Sequence, residues 1–450
     1  MSKISKNMIT GIFTAALLSA SALPTSADSL KQALAYAYEN NPTINAERAN
    51  LRATDEDVTI AKSALRPQVS ATGNASRTYI FDGPDTGRNT MSLGVKQTLF
   101  DGFRTKNNRN VAEFGVKAAR EALNNTVQQE FANVVSAYVN VLRDSAIVSH
   151  RQRALEFLNE QVRSERTRFE VGESTRTDVA QAEGRQAAAT AQVSAAKANL
   201  ITSRSQYQQY VGKAPRNLKS PANIASLLPR TAKHAVAKAM KSHPSILRQL
   251  YFVDQANYSV LAANSERAPT LTLSGSLDHE NTTNGGSVDS KTIGAQLNVP
   301  LYAGGANMAR VRKSKEKLSQ AKLNVRAVKA AVKQGVISAY AQYAAARDSV
   351  NAENKRLNAA RLALQGAVEE RKVGQRTTLD VLDTQQDVID AQISLANAKR
   401  SFIAAQHSIL QSIGALSIQR LSLKVAGYDP DDNYVAVKDK WFGTRTTSGQ

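Results

Sequence analysis

The 450-residue chain contains no cysteine. That excludes disulfides, thiol catalysis, metal–thiolate sites and a lipid-modified N-terminal cysteine. Histidine is nearly as scarce. His150, His234, His243, His279 and His407 are scattered, with no His-Glu-x-x-His pair and no glycine-rich phosphate loop. An enzyme is therefore disfavoured, and no metal or cofactor is expected. Aromatic residues are only 6% of the chain and form no stacking platform, which argues against nucleic acid as a ligand. The net charge of +20 is spread among Glu, Gln and Ala along helical stretches, as on solvated helix faces. Beyond the N-terminus no stretch reaches the ~18 uninterrupted apolar residues of a spanning helix.

The N-terminus carries an address. Lys3 and Lys6 precede a mostly apolar run from Met8 to Leu23, and Pro24-Thr25-Ser26-Ala27 ends on a small residue suited to cleavage before Asp28. Residues 1–27 read as a secretory signal, because Thr10, Gly11, Thr14 and Ser19 interrupt a run too short for a membrane helix.

The rest says nearly the same thing twice. Asn41-Pro42-Thr43-Ile44 answers His243-Pro244-Ser245-Ile246, and Leu99-Phe100-Asp101-Gly102 answers Leu301-Tyr302-Ala303-Gly304. Val171-Gly172 and Asp178 answer Val373-Gly374 and Asp380, every pair being 202 positions apart. So long a unit is a duplicated half-molecule, not a short-period solenoid. The first copy spans 28–212, the second 231–425, with a proline-marked connector at 213–230 and a loop-like tail at 426–450 that reads as partly disordered.

Each copy reads as a helix, two strands and a long helical hairpin. Ser29 and Thr231 are capping residues for the first helices, and Arg66-Pro67 and Ala268-Pro269 end them. Period-two alternation follows at about 67–81, 90–100, 269–279 and 291–302. Val69, Ala71, Met91, Leu93, Val95, Leu99, Leu271, Leu273, Leu277, Ile293 and Leu297 share one face, against Ser, Thr, Asn and Gln on the other. A strand of about 13 residues at ~3.3 Å each, tilted by about 45°, rises near 30 Å, the thickness of a bilayer core. A soluble sandwich needs more strands. Four strands cannot close a barrel, and open edges in lipid cost several kcal/mol per unpaired group. Closure must come from several chains. Roughly 65 proline-free residues after Arg104, and again after Asn307, give helices near 100 Å long at ~1.5 Å per residue. The expected fold is mainly α with a membrane β-barrel portion.

Leu30-x-x-Ala33-Leu34 … Asn40-Asn41-Pro42, Leu99-Phe100-Asp101-Gly102 and the run Val373-Gly374-Gln375-Arg376-Thr377-Thr378-Leu379-Asp380-Val381-Leu382-Asp383 resemble the TolC family of outer-membrane efflux channels. The likeness runs in order over about residues 28–420, and is nearest the non-lipidated TolC and type I secretion branch, the BepC group included. It implies a TolC-like α/β-barrel: a homotrimer in which three chains supply twelve strands and a periplasmic helical tunnel. It also implies outer-membrane lipid around the barrel, a periplasmic adaptor, and an inner-membrane pump of RND or ABC type exporting drugs, toxic amphiphiles or proteins. A periplasmic coiled-coil adaptor is the main rival, since it too is exported with long hairpins, but it would leave four amphipathic strands in water.

The hairpin tips are the candidate gate. Gly172 and Gly374 form the turns, and Thr175-x-x-Asp178 and Thr377-x-x-Asp380 suit capping of the returning helices. Arg376 and Asp383 have no counterpart in the first tip, where Ser174 and Gln181 stand. Asp380 and Asp383 share a helical face, and in a trimer they would make two stacked carboxylate rings whose repulsion raises their pKa values. The resemblance places cation-selective rings there, with closed-state links from Arg376 to Thr177 and Asp178. It also puts Arg371 where the family has a gate tyrosine.

Overall fold

The computed structural model describes residues 28–283 and 285–447, so the proposed secretory signal lies outside the described residues. The elements are α1 (Leu30–Asn40), α2 (Pro42–Ser63), β1 (Gln68–Thr78), β2 (Thr86–Phe100), α3 (Arg104–Glu170) and α4 (Arg176–Val211). Then come α5 (Ala232–Ser242), α6 (Pro244–Ser265), β3 (Thr270–Thr282), β4 (Gly286–Asn298), α7 (Ala306–Lys372) and α8 (Thr378–Ser412). Two short helices, α9 (Ile418–Leu421) and α10 (Pro430–Val437), close the chain. Each of α1, α2, β1, α3 and α4 begins 202 residues before its counterpart.

What reads as one opening helix in each copy is two. Pro42 and Pro244 cannot donate a backbone N–H and push the preceding residue into extended conformation. Asn41 and His243, at ψ 124° and 126°, end one helix and cap the next. The Asn41 side chain accepts from Thr43 N at 2.8 Å, and His243 Nδ1 accepts from Ser245 N at 3.2 Å. Burial lowers the His243 pKa and so favours the neutral ring that can accept this bond.

The long helices run unbroken for 67 residues each. α3 is flanked by α2 and α6 on the half nearer the sheet and by α4 and α8 on the half nearer the tips; α7 packs on α6 and then α8. Buried alanines recur every seven residues, at Ala182, Ala189 and Ala196 on α4 and Ala391, Ala398 and Ala405 on α8. A seven-residue repeat is the seam of supercoiled helices, and alanine there lets the axes approach closely. The bulkier core gathers at mid-height, where Leu34, Ile44, Leu51, Phe131, Tyr138 and Tyr207 are fully buried. The connector is tied down there: the Tyr138 hydroxyl lies 2.6 Å from the Lys219 carbonyl and 2.8 Å from that of Asp28.

The tail departs from the expected partial disorder. α10 lies on α2, where Asn433 Nδ2 donates to the buried Asp55 carboxylate at 2.7 Å and Asp431 pairs with Arg120 at 2.7 Å. Asp429 caps it and Pro430 occupies its first turn. Its polar composition hid this, because the partners lie on α2 and α3, some 310 to 380 positions away.

The strands form one antiparallel sheet in the order β1-β2-β3-β4. β2 starts at Thr86, earlier than its apolar pattern, because backbone pairing continues through polar residues opposite β1 and β3. β4 stops at Asn298, so Val299 and Leu301 lie outside it: its partner β3 only begins at Thr270, after Pro269.

Candidate functional site

The sheet segregates its side chains by row. On one face Val69, Val95, Gly275 and Ile293 lie side by side across the four strands, with Ala71, Leu93, Leu277 and Lys291 in the next row, then Gly73, Met91 and the paired His279 and Asp289, and with Gln97, Leu273 and Ala295 on the other side. On the other face the rows read Ser70, Gly94, Ser276, Thr292 and Thr72, Ser92, Asp278, Ser290. A β-bulge between Thr98 and Phe100 corrects one assignment: Phe100, not Leu99, pairs with Leu271 on the apolar face. One extra residue flips the alternation. The band is flanked by exposed aromatics, Tyr79 and Phe81 beyond one end and Phe100, Phe103 and Tyr302 at the other. Gly102 makes the turn from sheet to α3. It sits at φ +65°, and a Cβ there would stand 2.2 Å from the Ala268 Cβ, so only glycine fits.

Among the described residues the edges of β1 and β4 have no strand beside them. Both faces of the sheet are exposed in the single chain, leaving large apolar side chains such as Ile293 and Met91 uncovered.

At the opposite end the two tips share one backbone. Gly172 and Gly374 are left-handed, at φ 80° and 76°. Glu173 N donates to Arg168 O at 2.8 Å and Gly172 N to Phe169 O at 3.1 Å; Gln375 and Gly374 repeat this on Glu370 and Arg371. This double bond pattern satisfies carbonyls at the helix end. The capping boxes follow at once. Asp178 Oδ2 accepts from Thr175 N at 3.0 Å and Asp380 Oδ2 from Thr377 N at 2.9 Å, while each threonine hydroxyl accepts from the aspartate N–H at 3.2 Å.

The threonine hydroxyls and backbone N–H groups hold both aspartates below the usual carboxylate pKa of 3.8. A depressed folded pKa stabilises the tip above the unfolded value, and that contribution fades only as pH falls through the folded one. Both caps should therefore persist at neutral pH and loosen only below about pH 4. Inside one chain the capping bonds oppose the upward shift expected of an Asp380 ring. Thr175→Ala or Thr377→Ala should cost about 0.5–2 kcal/mol of local stability, read as faster amide exchange confined to the adjacent tip.

The tips differ in what bridges them. Arg371, at the end of α7, forms an ion pair with Glu165 near the end of α3 and donates to Gln161 Oε1 at 3.1 Å. Glu165 is 1% exposed, and Ser174 Oγ donates to its other oxygen at 3.0 Å and lies 3.4 Å from Asp178. Arg371 thus reaches Asp178 through Glu165 and Ser174. Asp383 on α8 pairs with Arg185 on α4 at 2.7 Å. Arg376 binds Glu370 at 2.8 Å in its own hairpin, with Asp380 at 4.0 Å, and is not joined to Thr177 or Asp178 within the chain. The Glu370 carboxylate, then Asp380, holds the Arg376 pKa above its ordinary value.

Sequence reasoning missed Glu165, Arg185 and Glu370. A signal existed for the first two. Across the 202-residue offset Glu165 stands opposite Ala367, Phe169 opposite Arg371, Gln181 opposite Asp383 and Arg185 opposite Asp387. The charged members of both inter-copy pairs stand opposite residues of different charge, whereas Arg376 and Glu370, which also differ from Ser174 and Arg168, pair inside their own hairpin.

The profile of the outer membrane efflux protein family matches residues 33–213 and 235–415, two blocks in the same 202-residue register. The chain is 43% identical over 447 residues to the outer membrane efflux protein BepC of Brucella suis biovar 1 (strain 1330), covering 98% of this chain and 97% of that one. It is 25% identical to the outer membrane protein TolC of Escherichia coli (strain K12), covering 88% and 84%. Among solved structures CusC superposes with a TM-score of 0.74 at 16% identity, over 86% of this chain and 92% of the other. The fold is the TolC-like one, mainly helical with a barrel-forming sheet. A duplicated profile match and a nearly full-length relative converge on one statement: the chain belongs to the outer membrane efflux protein family.

Proposed function

We propose that three copies of this chain close a twelve-stranded barrel in the outer membrane and continue into a periplasmic helical tunnel, forming the exit duct of an efflux or type I secretion system. The observation that carries this is the open four-stranded sheet, one face apolar through its central rows and charged only towards one end at Lys291 and the His279–Asp289 pair, the other polar, with two edges unpaired among the described residues. In lipid those edges require strands from other chains, and the polar face then lines water. No phosphate-binding loop is encoded, so an inner-membrane pump of RND or ABC type, reached through a periplasmic adaptor, supplies the energy; nucleic acid has no part. Purified protein should run as a detergent-resistant, heat-sensitive trimer and give stable single-channel steps in planar bilayers. Extraction as a soluble monomer without detergent would favour the adaptor reading instead.

The tips are the gate in this reading. Opening requires the α7–α8 hairpin to move against α3–α4, which breaks Arg371–Glu165 and Arg185–Asp383. Arg376, paired in its own hairpin, faces the neighbouring subunit's tip and is available for links to Thr177 and Asp178 there. Asp380 and Asp383, repeated threefold, ring the mouth and favour cations. Substituting Asp380→Ala together with Asp383→Ala should abolish block of the pore by hexamminecobalt(III) added on the tip side. Undiminished block would remove both residues from the mouth.

A further inference from the structure

The tail runs along α2 toward the sheet as far as Trp441 and Phe442 and then turns back, Thr447 Oγ1 donating to Asn433 Oδ1 on α10. Thr59 Oγ1 donates to Val437 O at 2.7 Å, Lys62 Nζ to Lys438 O at 2.9 Å, and Arg66 to Lys440 O at 2.8 Å, an ascending ladder of contacts. Its last rung, Arg66, lies two residues before β1. Leu65 is level with the end of β2, because Gln97 Nε2 reaches the Leu65 carbonyl at 3.4 Å. The Arg66 guanidinium lies 4.6 Å from the centroid of Trp441, the chain's single tryptophan. Trp441 is 58% exposed and its neighbour Phe442 is 87% exposed.

Two large aromatics are therefore held, uncovered, at the height where the strands begin, level with Phe100. Arg66, Lys438, Lys440 and Arg445 accompany them, with Asp439 neutralised by Lys62 at 2.6 Å. Indole rings favour the boundary between headgroups and acyl chains, where the ring body is apolar and its N–H stays wet. Lysine and arginine beside them suit lipid phosphates. We propose that Trp441 and Phe442 form a membrane-interface anchor, seated in the headgroup boundary of the periplasmic-side leaflet and fixed to the barrel rim through Arg66. The inference rests on the sheet being lipid-embedded, as proposed above. So placed, the tail straps the helical tunnel to the membrane surface.

The single tryptophan makes the test direct. Full-length protein would be placed in vesicles of phosphatidylcholine brominated either near the headgroup or deep in the acyl chain, and Trp441 emission measured. Strong quenching by shallow bromines and weak quenching by deep ones is the expected result. Val95→Trp in a Trp441→Phe background should show the reverse, quenched most by deep bromines. Trp441 unquenched by either lipid while Trp at position 95 is quenched would overturn the anchor. Acrylamide access would then show the tail in water, and acrylamide protection would show a neighbouring subunit covering it. Failure at position 95 would sink the barrel reading, and the anchor with it.

Discussion

Arg371→Ala should open the resting channel. Truncating one partner of a buried ion pair leaves the other charge desolvated, a penalty of about 3–5 kcal/mol per site. Glu165 is the orphan: at 1% exposed it would keep only the Ser174 hydroxyl. The α3 and α7 ends must then part or admit water, and either loosens the clamp between hairpins. The measurement is resting conductance in planar bilayers, alongside amide exchange at both tips. Adding Glu165→Ala should restore much of the lost stability, because removing both charges is far cheaper than removing one. Position 367, the equivalent of Glu165 in the second copy, is already a buried alanine. The double variant therefore separates two effects. Restored stability with conductance still high would show that the pair itself holds the gate. Adding Arg376→Ala to Arg371→Ala should raise conductance further, since Arg376 is exposed and available to a neighbouring tip. Conductance of the Arg371→Ala, Arg376→Ala variant at the wild-type level would exclude both arginines from gating.

Val95→Arg should block assembly, whereas Ser276→Arg should not. Val95 sits in the middle row of the apolar face, between Val69 and Gly275. A cation at the lipid midplane of a barrel costs about 2–4 kcal/mol, and three copies in one barrel multiply that cost. Ser276 lies one row away on the opposite face, beside Asp278, to which it donates at 2.7 Å. An arginine there faces water and finds a carboxylate. The expected readout is loss of heat-sensitive trimer from the outer-membrane fraction for Val95→Arg, against intact trimer with altered ion selectivity for Ser276→Arg. Equal behaviour of the two variants would contradict a lipid-facing and a water-facing side.

Much of this architecture is local and so was readable in the chain. Period-two alternation marks β1 to β4. The proline-free stretch after Arg104 marks α3, and Thr-x-x-Asp marks both tip caps, because each depends on neighbours within a few positions. The proposal that several chains close the barrel rests on the same count of amphipathic strands. The break at Asn41-Pro42 is also local, but apolar spacing continues across it and masks it. The bulge before Phe100 escaped because alternation alone cannot say where a partner strand slips by one.

What the tertiary structure alone decided is who meets whom between distant segments. Arg371 and Glu165 are 206 positions apart, Arg185 and Asp383 are 198, and Asn433 and Asp55 are 378. No periodicity encodes such pairs. They arise only once the two hairpins lie side by side and the tail finds α2, which bring charges from separate turns to within hydrogen-bonding reach. The amino-acid order alone determined the rods, the strands, their doubling and the caps. Packing decided which carboxylate each arginine serves, and that choice turns two copies of one unit into a clamp.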